Sequence, residues 1–166
     1  MAKTYKFEQE RKFFKAGYFL RDLDGNKVYE AKMLTQPLIG ASNYDFINHL
    51  NGITTPHKVS KTITVDNGGG LNTKSWFKFD GKNIWDFLHE EGIRIDSELS
   101  KGKIGMTYTV TLKGQPMAVI ATSTPNGNFP ITLGNFLDVT VEDDKDMELA
   151  FLVAFASALT EQTFLS

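Results

Sequence analysis

The stretch LAFLVAFASAL, residues 149–159, decides the fold because Ser157 is its only polar residue. A surface helix carries a polar stripe, whereas a helix without one belongs in a core or in a membrane. Eleven helical residues span about 16 Å, roughly half of the hydrocarbon thickness of a bilayer. We therefore predict a helix from Met147 to Leu159 that is buried in the protein core.

Four carboxylates directly precede this segment: Glu142, Asp143, Asp144 and Asp146. A helix N-terminus is stabilised by negative charge and by side chains that accept hydrogen bonds from its free N–H groups. The acidic cluster therefore predicts the start of the helix, which accounts for it without metal-assisted chemistry.

The rest of the chain alternates short apolar runs with turn residues, a pattern typical of antiparallel strands. We predict strands at residues 17–21, 27–34, 57–65, 73–79, 106–112, 117–123 and 136–141. Two short helices are predicted at Tyr44–Leu50 and Ile84–Glu90, and the glycine-rich segment 67–72 is predicted to be a loop.

A helix that is apolar on every side needs cover on every side. A sheet closed around the helix provides such cover, whereas a two-layer α+β arrangement leaves part of the helix exposed to solvent. Periodicity alone does not choose between these two architectures.

Three segments resemble the tubby C-terminal-like superfamily, which includes the LURP-one-related proteins and the phospholipid scramblases. They are GYFLRDLDGNKVYEA (residues 17–31), MTYTVTLKGQPMAVIAT (residues 106–122) and VEDDKDMELAFLVAFASAL (residues 141–159). Members of this superfamily end in an acidic segment and an apolar helix that threads a closed barrel. Residues 42–98 match the pattern poorly, so the chain looks like a small bacterial-type member with its own insertions.

With this resemblance, the expected fold is mainly β: a closed antiparallel β-barrel wrapped around the C-terminal helix, with residues 1–166 as a single domain. A two-layer α+β fold is the alternative. A filled barrel has no internal ligand cavity, so binding is expected on the outer surface or at the barrel ends.

The resemblance implies little about function. Tubby proteins bind phosphoinositide headgroups through basic residues, and scramblases are linked to lipid movement. Those basic motifs have no residue-by-residue match in this sequence, so neither activity is carried over.

Composition narrows the functional classes. The chain has no cysteine, which excludes disulfides, thiolate metal sites and a cysteine nucleophile. Its formal net charge is −2, so no global attraction to nucleic acid is expected. The first residues lack the apolar run of a signal peptide, and no segment is long enough to span a bilayer. We expect a cytoplasmic protein that can associate peripherally with a membrane through a local surface.

The strand at residues 73–79 carries the candidate binding site. Alternation places Lys74, Trp76 and Lys78 on one face and two phenylalanines on the other. If the phenylalanines face the core, the tryptophan is exposed between two cations, and Lys58 can add charge nearby. Such a face suits a layer of lipid headgroups, or a base beside phosphates. The alternative is an ordinary solvated strand whose tryptophan is covered by its neighbours.

Catalysis or metal binding would have to draw on His49, His57 and His89. Asp86 and His89 share one helical face, but two ligands are too few for a closed metal site, and no HExxH spacing is present. No nucleophile elbow, phosphate-binding loop or EF-hand loop is complete. We expect no catalytic residue, no cofactor and no metal ion.

The leading hypothesis is a non-catalytic intracellular module that binds an anionic lipid headgroup or a protein partner on the barrel exterior. Its candidate ligand-binding residues are Lys58, Lys74, Trp76 and Lys78. One alternative is an enzyme, which requires a pocket that gathers at least two histidines and a carboxylate. Another is a structural or regulatory partner protein, which requires a large exposed apolar patch. The sequence does not choose among them, and it leaves the oligomeric state open.

Overall fold

The computed structural model of the chain describes residues 2–12, 15–35, 42–65, 73–99, 106–122 and 136–165. The strands in these ranges are β1 (Lys3–Lys12), β2 (Lys15–Arg21), β3 (Lys27–Thr35), β4 (Ser42–Asn48), β5 (Ile53–Val65), β6 (Thr73–Phe79), β7 (Lys82–Asn83), β8 (Ile93–Leu99), β9 (Met106–Leu112), β10 (Gln115–Thr122) and β11 (Phe136–Val141). The helices are α1 (Ile84–Glu90) and α2 (Met147–Leu165), and a 3₁₀ turn at Asp144–Asp146 leads into α2.

All of these strands belong to one antiparallel sheet with the order β7-β6-β5-β4-β3-β2-β1-β11-β10-β9-β8. Most neighbours in the sheet are also consecutive in the chain, as expected for strands joined by hairpins. The exception is the pairing of β1 with β11, in which Lys3 lies opposite Val141. This pairing brings the start of the chain next to the strand that precedes α2.

The prediction of a closed barrel is wrong, because the sheet is open. Among the described strands, no ladder joins the two edge strands β7 and β8. β7 stops after two residues because Asn83 caps α1, where its side chain accepts hydrogen bonds from the N–H groups of Trp85 and Asp86. The residues that would extend β7 towards β8 therefore form α1 instead, and α1 contacts β6, β7 and β8. The mainly β character of the chain is confirmed.

The predicted C-terminal helix is confirmed as α2, which ends at Leu165 rather than at Leu159. Every residue from Ala150 to Leu159 is buried, including Ser157, whose relative exposure is 6%. Strands β6, β10 and β11 contact the helix, and so does α1. An open sheet that curves around α2, together with α1, therefore provides the cover that the apolar sequence requires. No described helix combines the length and the apolar character needed to cross a bilayer.

Aromatic rings of strands β2 to β4 pack against two phenylalanines of α2. The ring centroid of Phe151 lies 4.7 Å from that of Tyr29, and the centroid of Phe155 lies 4.9 Å from that of Tyr18. Phe46 contacts both, at 5.9 Å and 5.4 Å. Edge-on and tilted arrangements of this kind add about 0.5–1.5 kcal/mol per pair to the burial of the rings.

One of the two predicted short helices is wrong. Residues 44–50 lie in strand β4 and in the turn after it, not in a helix. Tyr44, Phe46 and Asn48 are buried while the residues between them are not, which is the period-two pattern of a strand. Pairing with β3 on one side and β5 on the other overrides the helix that the local sequence predicts. Helix α1 and strands β6, β9 and β11 have the predicted bounds, whereas the loop predicted at residues 67–72 lies outside the described residues.

Candidate functional site

Strand β6 carries the face that the sequence predicts to bind ligand. Its bounds are those predicted, and Phe79 is buried whereas Lys78 is exposed. This confirms the predicted alternation of exposed and buried side chains at the end of the strand. The side chains of Lys74 and Trp76 lie outside the described residues, so their exposure stays a prediction.

Lys58 lies on the neighbouring strand β5 and is also exposed. Lys78 lies opposite Ser60 in the sheet, so Lys58 and Lys78 are diagonal neighbours on one face, about 7 Å apart. No described carboxylate lies within ion-pair distance of either ammonium group. Lys82, by contrast, forms an ion pair with Glu90. The outer face of β5 and β6 therefore carries two ammonium groups that form no ion pair with a described carboxylate, while Asp80 and Asp45 add negative charge beside Lys58.

Asp80, in the turn after β6, uses its side chain to extend the pairing of β5 with β6. Its N–H donates to the carbonyl of Lys58 at 2.8 Å, and one carboxylate oxygen accepts from the N–H of Lys58 at 2.8 Å. The other oxygen lies 2.6 Å from Nδ1 of His57. Asp80 has a φ of 52°, a left-handed conformation that aspartate tolerates better than most residues. This turn therefore holds a carboxylate against the histidine.

The imidazole of His57 is held in place from several sides. Its ring centroid lies 4.4 Å from that of Phe79 and 4.8 Å from that of Phe46. The side chain keeps 21% of its exposure, and among the described residues only Asp80 has a hydrogen bond to the ring, at Nδ1. Because the carboxylate of Asp80 fixes Nδ1, the ring has a defined orientation and Nε2 is left for solvent or a ligand.

A groove of about 450 Å³ opens beside the His57–Asp80 pair. This volume lies within the range of about 300–1,000 Å³ that is typical of small-molecule sites. Strands β3, β4 and β5 and the turn after β6 supply its walls: Leu34, Asn43, Tyr44, Asp45, Pro56, His57, Lys58 and Asp80.

Two walls of the groove, Leu34 and Tyr44, were not predicted from the sequence, and the first of them depends on a local irregularity. Leu34 is the extra residue of a β-bulge, between the pairs that Met33 and Thr35 make with β4, and bulges redirect side chains in this way. Tyr44 is buried. Burial, with a smaller contribution from Tyr18, raises the pKa of Tyr44 above the ordinary value, so its hydroxyl stays protonated near neutral pH.

The three histidines of the chain have different surroundings. His49 pairs with Glu30 at 2.8 Å, His57 pairs with Asp80, and His89 is exposed at the end of α1. Of the three, His57 alone lines the groove. No three His, Asp or Glu side chains within the described ranges lie close enough together to hold a metal ion. This groove therefore lacks the second histidine that the enzyme hypothesis requires.

The acidic cluster before α2 has a structural role, in part the predicted one: Asp143 caps the turn that leads into the helix, whereas Asp144 bonds to strand β1. Asp143 accepts a hydrogen bond from the N–H of Lys145 at 3.0 Å, and Asp144 accepts from the ammonium group of Lys3 and the hydroxyl of Tyr5, both at 2.9 Å. The bonds from Lys3 and Tyr5 hold the pKa of Asp144 below its ordinary value. Burial, together with the bond to Asp144, raises the pKa of Tyr5 to about 12. The cluster ties the start of β1 to the start of α2.

No protein-family model, curated protein or solved structure matches this chain. The resemblance to the tubby C-terminal-like superfamily thus rests on three sequence segments and stays a prediction. The open sheet differs from the closed barrel of that superfamily.

Proposed function

We propose that this protein is a non-catalytic binding module whose outer sheet face, on β5 and β6, binds anionic lipid headgroups. The observation that carries the proposal is the exposure of Lys58 and Lys78 on one face, without a described carboxylate partner. A lysine near an anionic membrane surface contributes about 1 kcal/mol to binding. Two such residues favour adsorption at a charged surface although the net charge of the chain is −2.

The predicted exposure of Lys74 and Trp76 adds to this face. Tryptophan prefers the headgroup layer, where its ring is in apolar surroundings and its N–H reaches water. The proposal places the protein in the cytoplasm, at the periphery of the membrane, since anionic lipids are concentrated in the cytoplasmic leaflet.

A protein partner is the second candidate, and one observation favours it. Leu23, Leu50 and Ile53 are more than half exposed, and they lie in or beside the turns that join β2 to β3 and β4 to β5. His49 donates its N–H to the carbonyl of Val28, so these two turns lie at the same end of the sheet. A partner that covers this end would remove three large apolar side chains from water.

Sedimentation with phosphatidylcholine vesicles, with and without phosphatidylserine, tests the lipid proposal. We expect binding only when phosphatidylserine is present, and weaker binding at high salt because exposed charges are screened. Replacing both lysines, Lys58→Gln with Lys78→Gln, removes about 2 kcal/mol and should weaken binding about 30-fold.

A control with the same change in net charge is Lys113→Gln with Lys145→Gln, since both residues are exposed and lie outside β5 and β6. We expect this control to bind nearly as well as the unmodified protein. Equal binding to both kinds of vesicle, or an equal loss in the control, would refute the proposal and leave the protein partner as the better candidate.

A further inference from the structure

Strand β8 forms one edge of the open sheet. Among the described strands it pairs only with β9, in a register that places Ile93 opposite Leu112. An edge strand has N–H and C=O groups without strand partners along one side, and proteins either shield such an edge or use it to bind a further strand. The other edge, β7, has two residues, whereas β8 has seven. The longer edge is therefore the better candidate for an interaction.

A hydrogen bond at the start of β8 shows which of its backbone groups face the free edge. The carbonyl of Gly92 accepts a hydrogen bond from the N–H of Lys113, in the turn after β9. Backbone groups of successive residues in an antiparallel strand point alternately to its two sides. The N–H and C=O groups of Ile93, Ile95 and Ser97 therefore point away from β9, towards the free edge.

The side chains of β8 give this edge a charge pattern. Ile93 is buried and Ile95 is half-buried on the inner face, whereas Arg94 and Asp96 are exposed on the outer face. Charges on an edge strand usually discourage pairing with another strand. These two charges have opposite signs and lie two positions apart, so an antiparallel copy of the same strand can bring a carboxylate opposite each guanidinium group.

One register of self-pairing brings these charges together. Residues that lie opposite each other must share a face of the sheet, so the two-fold axis between two identical antiparallel strands passes through a residue of each strand. An axis at Ile95 places Arg94 of each copy opposite Asp96 of the other. An axis at Arg94 would place two arginines opposite each other, and an axis at Asp96 would do the same with two aspartates. Like charges directly opposite destabilise a strand pair.

The same register provides partners for the free backbone groups. With the axis at Ile95, this residue exchanges two hydrogen bonds with its counterpart, and Ile93 exchanges two with Ser97. In the single chain, one guanidinium nitrogen of Arg94 donates to the carbonyl of Ile93 at 2.8 Å and to that of His89 at 3.3 Å. Arg94 thus covers a carbonyl that points to the free edge. Its other N–H donors can bind a carboxylate of the second copy.

We propose that two copies of this chain pair through β8, antiparallel about a two-fold axis at Ile95, so that the sheet continues from one copy into the other. Two ion pairs between Arg94 and Asp96 fix the register on the outer face. The proposal goes beyond lipid binding, because it depends on β8 and not on the lysine face of β5 and β6.

Sedimentation equilibrium over a concentration series tests this pairing. We expect the mass of the unmodified protein to rise from that of one chain towards that of two. Arg94→Asp and Asp96→Arg each place like charges opposite each other, so each variant alone should self-associate about tenfold more weakly or less. An equal mixture of the two variants should associate again, because the carboxylates of one chain then lie opposite the guanidinium groups of the other.

Lys32→Asp is the matched control for Arg94→Asp. It makes the same change in net charge at an exposed residue of β3, which is an interior strand. We expect this variant to associate like the unmodified protein. Thermal unfolding of each variant checks that it is folded, and recovery in the mixture requires folded chains. A single-chain mass of the unmodified protein at every concentration, an equal loss in the control, or no association in the mixture would overturn the proposal.

Discussion

The core around α2 and the groove beside His57 are built from the same strands by different means. Strand β4 contributes Phe46 to the first and Asp45 to the second. The core repeats one kind of contact, apolar on apolar, along every strand that reaches it. The groove depends on one bulge, one left-handed aspartate and one carboxylate–imidazole pair. Stability and binding should therefore respond to different mutations.

Ala154→Trp is expected to have the largest effect on the core. Ala154 is fully buried in the middle of α2, and a core without free space cannot take up an indole ring without displacing the sheet. Inserting a few extra methylenes into a packed core costs about 1–3 kcal/mol, so we expect a whole indole ring to lower the free energy of unfolding by more than about 5 kcal/mol, measured by urea denaturation. Ala121→Trp is the control because Ala121 is only half-buried, on the strand β10. Native stability of Ala154→Trp would be incompatible with a helix surrounded by the sheet.

Phe155→Ala should have the next largest effect, a loss of about 3–5 kcal/mol if the site cannot collapse. Its ring contacts both Tyr18 and Phe46. Phe19 offers a comparison, since it is also buried but lies under Arg21 and Lys27, whose charged groups are 4.6 Å and 4.5 Å from its ring. Phe19→Ala should cost less, because flexible side chains cover this ring and can rearrange. If both variants lost the same unfolding free energy, the ring packed in the core would be no more important for stability than the ring covered by charged side chains, contrary to this prediction.

Asp144→Asn should have a smaller, pH-dependent effect. Because Lys3 and Tyr5 lower the pKa of Asp144 in the folded state, its carboxylate stabilises the fold above the unfolded-state pKa of about 3.9. This contribution is lost as the pH falls through the lower, folded-state pKa. About half of the side chain is exposed, so we expect at most about 1 kcal/mol. Urea denaturation from about pH 2 to pH 7 should show the difference from the unmodified protein disappearing at the acidic end. A difference that does not change with pH would exclude this role.

Trp76→Ala is expected to have the smallest effect on stability, within about 0.5 kcal/mol, because the alternation in β6 predicts that its side chain is exposed. It should nevertheless weaken binding to phosphatidylserine vesicles, because the indole ring is lost from the headgroup layer. Thermal unfolding and vesicle sedimentation of the same variant check both statements. A large loss of stability would show that Trp76 is buried, and would remove it from the proposed lipid-binding face.

The core could be predicted from the sequence because its signals are local. Residues 149–159 are apolar at every position, and the alternation in β9 and β11 is visible in short windows. Closure of the sheet could not be predicted in this way. Closure depends on whether the edge strands β7 and β8 pair with each other, and such pairing leaves no local pattern in the sequence, even though the bounds of α1 are predicted correctly.

The candidate site, like the core and the sheet, could be predicted from the sequence only in part. Alternation in β6 correctly predicts that Lys78 is exposed and that Phe79, on the other face of the sheet, is buried. The pairing of His57 with Asp80 spans 23 positions of the sequence and requires a left-handed turn, and the position of Leu34 requires a bulge. Neither feature leaves a periodic signal, because each is set by the register between strands.

Native-state hydrogen exchange along α2 tests the central claim most directly, namely that this helix is the centre of the fold. The amides of Ala150–Leu159 should exchange only through global unfolding, so the free energy from exchange should equal that from urea denaturation. Amides of the exposed turn around Leu50 should exchange through much smaller local openings. Exchange within Ala150–Leu159 as fast as in that turn would contradict the account.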